Sequence, residues 1–167
     1  MTRGERSQLS DSQREQLARV MPSIDRRLRY HPCSVRLSNG KTYSRVLLSE
    51  YSTWYEEWGI DPEDDPDKRS IDVKRVEDIW ESPHRLPAHI ATKIYTQPES
   101  GMGYYRFKLT LDDGRSVDCL TGNVVDFLKW PHDLSPRKVV DVAVYGGPSR
   151  SNPDLRVARY VWCLYSD

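Results

Sequence analysis

The chain has 167 residues, enough for one ordinary domain or two very small ones, and an apolar fraction of 37% leaves room only for a lean core. Lysine plus arginine and aspartate plus glutamate stand at 25 each, so no global field draws the protein to nucleic acid or to an anionic membrane. Three scattered cysteines (Cys33, Cys119 and Cys163) with no CxxC pair exclude a disulfide framework and the usual zinc site, and without an apolar leader or span the expected location is cytoplasmic.

Residues 1–10 are polar and unpatterned, and are expected to form a disordered tail. Ser10 followed by Gln13 is a capping-box signature, and Leu17, Val20, Met21, Ile24 and Leu28 recur at helical spacing. Pro22 interrupts that run, so the N-terminal helical segment, 11–30, reads as a helix over 11–21 and a shorter one over 23–29. Its other face carries Arg14, Arg19, Arg26, Arg27 and Arg29, the pattern of a solvated helix face.

From Cys33 the period changes to two. Val35 and Leu37, then Ser38-Asn39-Gly40-Lys41, then Tyr43, Arg45 and Leu47 predict a hairpin with a type I′ tip. The grammar returns at Phe107, Leu109 and Leu111, then Asp112-Asp113-Gly114-Arg115, then Val117 and Cys119. An aromatic segment follows each hairpin (Trp54–Trp58; Phe127–Trp130), and a strand-like run follows that (Ile71–Val73; Val139–Val142). Either a duplication or common turn chemistry produces such order. Strands are expected over 89–96 and 104–111, and Leu155–Tyr165 is expected to return beside Val139–Tyr145 as a third hairpin.

The helix ahead of Val35-x-Leu37-x-Asn39-Gly40-Lys41, with a later Ile71-x-Val73-x-x-Val76 strand, resembles the SH3-like barrels, including the Sm-like proteins that begin with a helix. The acidic stretch at 61–67 departs from the Sm pattern, which runs strand into strand there. The expected fold is α+β and mainly antiparallel: an N-terminal helix, a first β-unit over 31–82, a connector and strand over 83–103, and a second β-unit over 104–167. The two units are expected to be small barrels or half-barrels in one globule.

Tyr51, Trp54, Tyr55 and Trp58, with Trp80, form the densest aromatic cluster, and Asp61-Pro62-Glu63-Asp64-Asp65-Pro66-Asp67 follows it. Aromatics anchor interfaces, so Tyr51, Trp54, Tyr55, Trp58, Asp61 and Asp64 are the candidate binding residues, with another protein as the expected partner; core packing is the competing reading. The acidic run lacks the glycine and distal glutamate of an EF-hand loop, so no metal and no cofactor is expected. Cys119 with His132 and Asp133 is the least remote catalytic set, for a dispersed site between the halves, although a cysteine on an alternating strand is ordinarily a small apolar side chain. His84 and His89 add no metal-ligand spacing. Tyr104-Tyr105-Arg106-Phe107-Lys108 interleaves aromatic and basic residues as single-strand platforms do, but with balanced charge nucleic acid is not the expected partner. The function expected is a non-enzymatic binding or regulatory module. Short strand edges are able to pair across a homodimer.

Overall fold

Ser10 and Gln13 close the capping box that their spacing predicts. The Gln13 N–H donates to Ser10 Oγ at 3.1 Å and the Ser10 N–H donates to Gln13 Oε1 at 2.9 Å, which satisfies two donors at the start of the first helix. The computed structural model describes residues 5–146 and 152–167. In chain order the elements are α1 (Asp11–Leu17), β1 (Ser23–Asp25), β2 (Leu28–Leu37), β3 (Thr42–Glu50), α2 (Tyr51–Trp58), β4 (Val76–Glu81), α3 (Ala88–Tyr95), β5 (Tyr105–Leu111), β6 (Ser116–Thr121), β7 (Val139–Tyr145), β8 (Leu155–Arg156) and β9 (Val161–Tyr165). The fold is α+β with two mixed sheets, neither closed into a barrel among the described residues. No described helix is long and apolar enough to cross a membrane.

The chain divides into two units, Met1–Pro83 with Tyr160–Asp167, and His84–Arg159. In unit 1 the sheet order is β1-β2-β3-β9, with β4 also on β2. Two expectations change here. The helix expected over 11–21 ends at Leu17 with Ala18 as its C-cap, and the segment expected as a second helix is β1 and the start of β2, with Ser23, Asp25, Leu28 and Tyr30 buried and Arg26 turning the chain at φ +57°. The expected disordered tail is corrected in its described part: Gln8 bridges Ser166 and Leu9 is buried in the core, while residues 1–4 lie outside the description.

Both tips are hairpins, but not type I′. Only Gly40 and Gly114 have positive φ, +85° each, and Asn39 and Asp113 do not. Gly40 N donates to Leu37 O and Leu37 N to Lys41 O, while Asn39 Oδ1 accepts from Lys41 N at 2.9 Å. Gly114, Leu111, Arg115 and Asp113 repeat those three bonds. This is a three-residue loop ending in a bulged glycine, which a short polar residue before glycine serves equally well. A capped 3-10 turn precedes β4 (Asp72 accepting from Lys74 N) and another precedes β7 (Ser135 accepting from Arg137 N). Each turn's carbonyl then accepts from the tip, Arg75 O from Ser38 N and Lys138 O from Asp112 N.

The end of the chain overturns the expected third hairpin. β9 runs parallel to β3, Val46 opposite Val161 through Glu50 opposite Tyr165, and so belongs to unit 1. Residues 147–151 of the expected return loop lie outside the description. Both faces of β3 are buried: Val46 and Leu48 join Cys33, Val35, Val161 and Cys163 on one side, and Leu47 is covered on the other. On the outer edge of β4, α1 stands in for a strand. Gln13 Nε2 donates to Val73 O and Val76 O at 3.0 and 2.8 Å, and Gln16 Oε1 accepts from Ile79 N at 2.7 Å.

Unit 2 is the contiguous sheet β7-β5-β6-β8. The expected strand over 89–96 is helix α3, whose Ile90, Ala91, Ile94 and Tyr95 share one buried face. That is helical spacing in a segment too short, and too rich in isoleucine and threonine, to declare it. Phe107, Leu109, Val117, Cys119 and Val142 are buried from the sheet, and Val125, Phe127 and Leu128 from the chain after β6.

Candidate functional site

Most of the predicted aromatic cluster is core. Glu50 caps α2 by accepting from Ser52 N and Thr53 N, and Gly59 ends it with φ +74°. The helix thereby aims Trp54 inward, where it is fully buried, stacks on Trp58 at 5.8 Å and meets Trp162 edge-on at 5.4 Å. Tyr51 is buried too, its hydroxyl donating to Asp61 at 3.0 Å, and burial followed by that carboxylate pushes its pKa up to about 12. Trp58 is half-buried and donates to Tyr30 Oη, which leaves only Tyr55 and Asp64 exposed among the six predicted residues.

The acidic run is answered from within unit 1. Arg6 reaches Asp61 at 2.8 Å and Glu63 at 2.9 Å, and Lys68 pairs with Asp65 while lying 5.2 Å from the Trp58 ring centre. The Lys68 bond, with the Asp67 amide, holds the Asp65 carboxyl below its usual range. No cluster of three or more histidine, cysteine or carboxylate groups suited to a metal occurs among the described residues.

The catalytic set is not assembled. Cys119 is fully buried on the core face of β6, and burial, then Asp118 and Asp154, push its thiol far up, the opposite of an activated nucleophile. His132 and Asp133 are exposed in the loop after Trp130. His84 is half-buried, with its carbonyl accepting from Trp130 Nε1, and His89 is exposed on α3.

What the sequence reading underweighted is the second face of the unit 2 sheet. Register sets one row across four strands: Tyr145 on β7 opposite Arg106 on β5, Arg106 opposite Leu120 on β6, and Leu120 opposite Arg156 on β8. Arg106 is fastened there. Its Nη2 donates to Asp118 Oδ2 at 2.7 Å and its Nε to Tyr145 Oη at 2.8 Å. Burial opposes charge on Asp118, but the bonds from Arg106 and Tyr145 win and hold its carboxyl below the ordinary range.

Beside this row lies a cavity of about 580 Å³ lined by Tyr104, Arg106, Leu120, Thr121, Gly122, Lys129, Arg156 and Val157. Lys129 and Arg156 are brought together because Lys129 N donates to Arg156 O at 2.8 Å, and both side chains are exposed. Neither makes an ion pair among the described residues, in contrast to Arg106. Unit 2 holds eleven lysines and arginines against eight aspartates and glutamates, a net +3, and unit 1 holds fourteen against seventeen, a net −3. The sequence signal was the Tyr104-x-Arg106 alternation; Lys129 and Arg156 join it only through β8 and the neighbouring backbone bond.

The fold and this face define a two-unit α+β protein with an open basic and aromatic sheet surface. Comparison with known protein families, with curated proteins and with solved structures finds no match to the chain.

Proposed function

We propose that the protein is a non-enzymatic binding module whose site is the outer face of the unit 2 sheet, and that the ligand is anionic. The observation that carries this reading is the pair Lys129 and Arg156 on the cavity wall, charged and without carboxylate partners among the described residues. A cation on a surface is ordinary. Two of them beside the apolar walls of Leu120 and Val157, in a unit of net positive charge, make a concave site in which charge and apolar area act on one ligand. The burial of Trp54 and Tyr51 counts against the surface at 51–67 as the main site, and the buried thiol of Cys119 counts against nucleophilic chemistry.

We also infer that the two units repeat one ancestral meander, of the SH3-like kind the first hairpin resembles. The shared bulged tip, the paired 3-10 turns and the parallel strand added to each second hairpin strand support it. In unit 1 the far side of that meander is filled by α2 and Trp162; in unit 2 the matching residues are Arg106, Leu120 and Arg156.

Heparin chromatography tests the binding reading. The wild-type protein is expected to be retained at low salt and released as salt rises, and the double variant Lys129→Ala/Arg156→Ala to elute earlier. Flow-through of the wild type, or identical elution of the two proteins, overturns it.

A further inference from the structure

Resting on that reading, we infer that the ligand is a nucleoside phosphate unit, its base laid on the Tyr104 ring and its phosphate held by Lys129 and Arg156. Three observations narrow the anion to this class. The first is the ring. A Cβ at Gly101 would stand 2.2 Å from Tyr104 Cε1 and 2.3 Å from Cζ, so the Tyr104 ring occupies the space a side chain at 101 would need. Ser100 N donates to Tyr104 O at 3.0 Å, Tyr104 N donates to Gly101 O at 3.3 Å, and the loop turns through Gly103 at φ +80°. An aromatic wall held this way before the ligand arrives loses little freedom on binding.

The second observation is the division of the lining. Tyr104, Leu120 and Val157 suit a flat ring with apolar faces, and Lys129 and Arg156 suit a phosphate. An acidic peptide would satisfy the cations and leave the aromatic wall unused. The cavity, about 580 Å³, falls within the roughly 300–1,000 Å³ of small-molecule sites, which suits one nucleotide and not a duplex.

The third is the count of available charges. Arg106 is committed to Asp118, so two cations remain for phosphate. At about 0.7 in log affinity per log salt for each single-strand phosphate neutralised, one phosphate shared by these two cations gives a slope on the order of 0.7, a weak electrostatic grip in which stacking carries much of the affinity. Lys108, exposed and on the same face of β5 as Arg106, extends the track for a neighbouring nucleotide.

The test is fluorescence anisotropy of a labelled ten-residue oligothymidylate titrated with the full chain at low salt, with adenosine monophosphate, inorganic phosphate and polyglutamate as competitors. Binding is expected, with competition by the mononucleotide far better than by phosphate or polyglutamate. A mononucleotide as effective as unlabelled oligothymidylate identifies a free nucleotide as the source; a far weaker one identifies a strand. Tyr104→Leu is expected to weaken oligothymidylate binding about tenfold, Tyr104→Phe to restore it, and Gly101→Ala to weaken it by displacing the ring. If Tyr104→Leu binds as the wild type does while heparin retention persists, the nucleotide assignment falls and the anion site stands. Competition by phosphate or polyglutamate equal to that of the mononucleotide also overturns it.

Discussion

Trp54 illustrates how far a residue's role depends on neighbours that are remote in sequence. An exposed-anchor reading and a core reading were both open for Tyr51, Trp54 and Trp58. What decides for the core is Trp162, which meets Trp54 and Trp58 at 5.4 and 5.3 Å from the other end of the chain. Trp54→Ala is therefore expected to destabilise unit 1 by about 3–5 kcal/mol in a denaturant melt. Trp54→Phe should cost much less, because the buried Trp54 Nε1 has no hydrogen-bond partner among the described residues and its removal sacrifices no bond. At Asp118 the sign of the pH effect follows from its lowered native pKa. Its stabilising contribution is present above the carboxylate's unfolded value, about 3.9, and is lost as pH falls through the lower folded value. Asp118→Asn should accordingly lower the thermal midpoint at pH 7 and change it little near pH 2.

At the level of elements, the most legible features were those closed within a few residues. The Ser10–Gln13 box and the two glycine tips each need only their own segment, and each is where the spacing put it. The turn class went unread because Asn-Gly and Asp-Gly serve both type I′ and bulged loops; the register of β2 on β3 decides between them. Helix α3 was misread because eight residues with two isoleucines and a threonine alternate nearly as well as they spiral. Least legible was the service α1 gives to β4. Gln13 and Gln16 sit on a short helix, yet their amides occupy the edge positions a neighbouring strand would take. Gln13→Ala/Gln16→Ala should free that edge. Light scattering on warming is expected to show earlier association than in the wild type, with far-UV helix signal reduced.

For the whole molecule, the balanced charge that argued against anionic ligands is the sum of two unlike parts. Unit 2 is a contiguous window, but its bounds at 84 and 159 come from long-range strand pairing, since unit 1 takes its last strand from beyond it. The cavity was invisible for the same reason: Tyr104, Lys129 and Arg156 meet only when β8 pairs with β6. Ending the chain after Arg159 removes β9, uncovering Leu47 and Trp54, while every strand of unit 2 remains. Such a truncation is expected to lose the hydrogen-exchange protection of β2 and β3 and to keep that of β5 and β6.

The place of β9 also orders events on the ribosome. Unit 2 can be completed before unit 1, although unit 1 starts first, because roughly 80 residues separate Glu81 from Val161. At about 5–20 residues per second, the roughly 110 residues between Glu50 and Val161 keep β3 waiting some 6–22 s with an unfilled edge and an uncovered tryptophan beside it. In a crowded polysome the nearest strand able to fill that edge belongs to a finished neighbour, residues 161–165 of another copy. Exchange of β9 between nascent chains is thus the misassembly this topology invites, and slower translation should favour it.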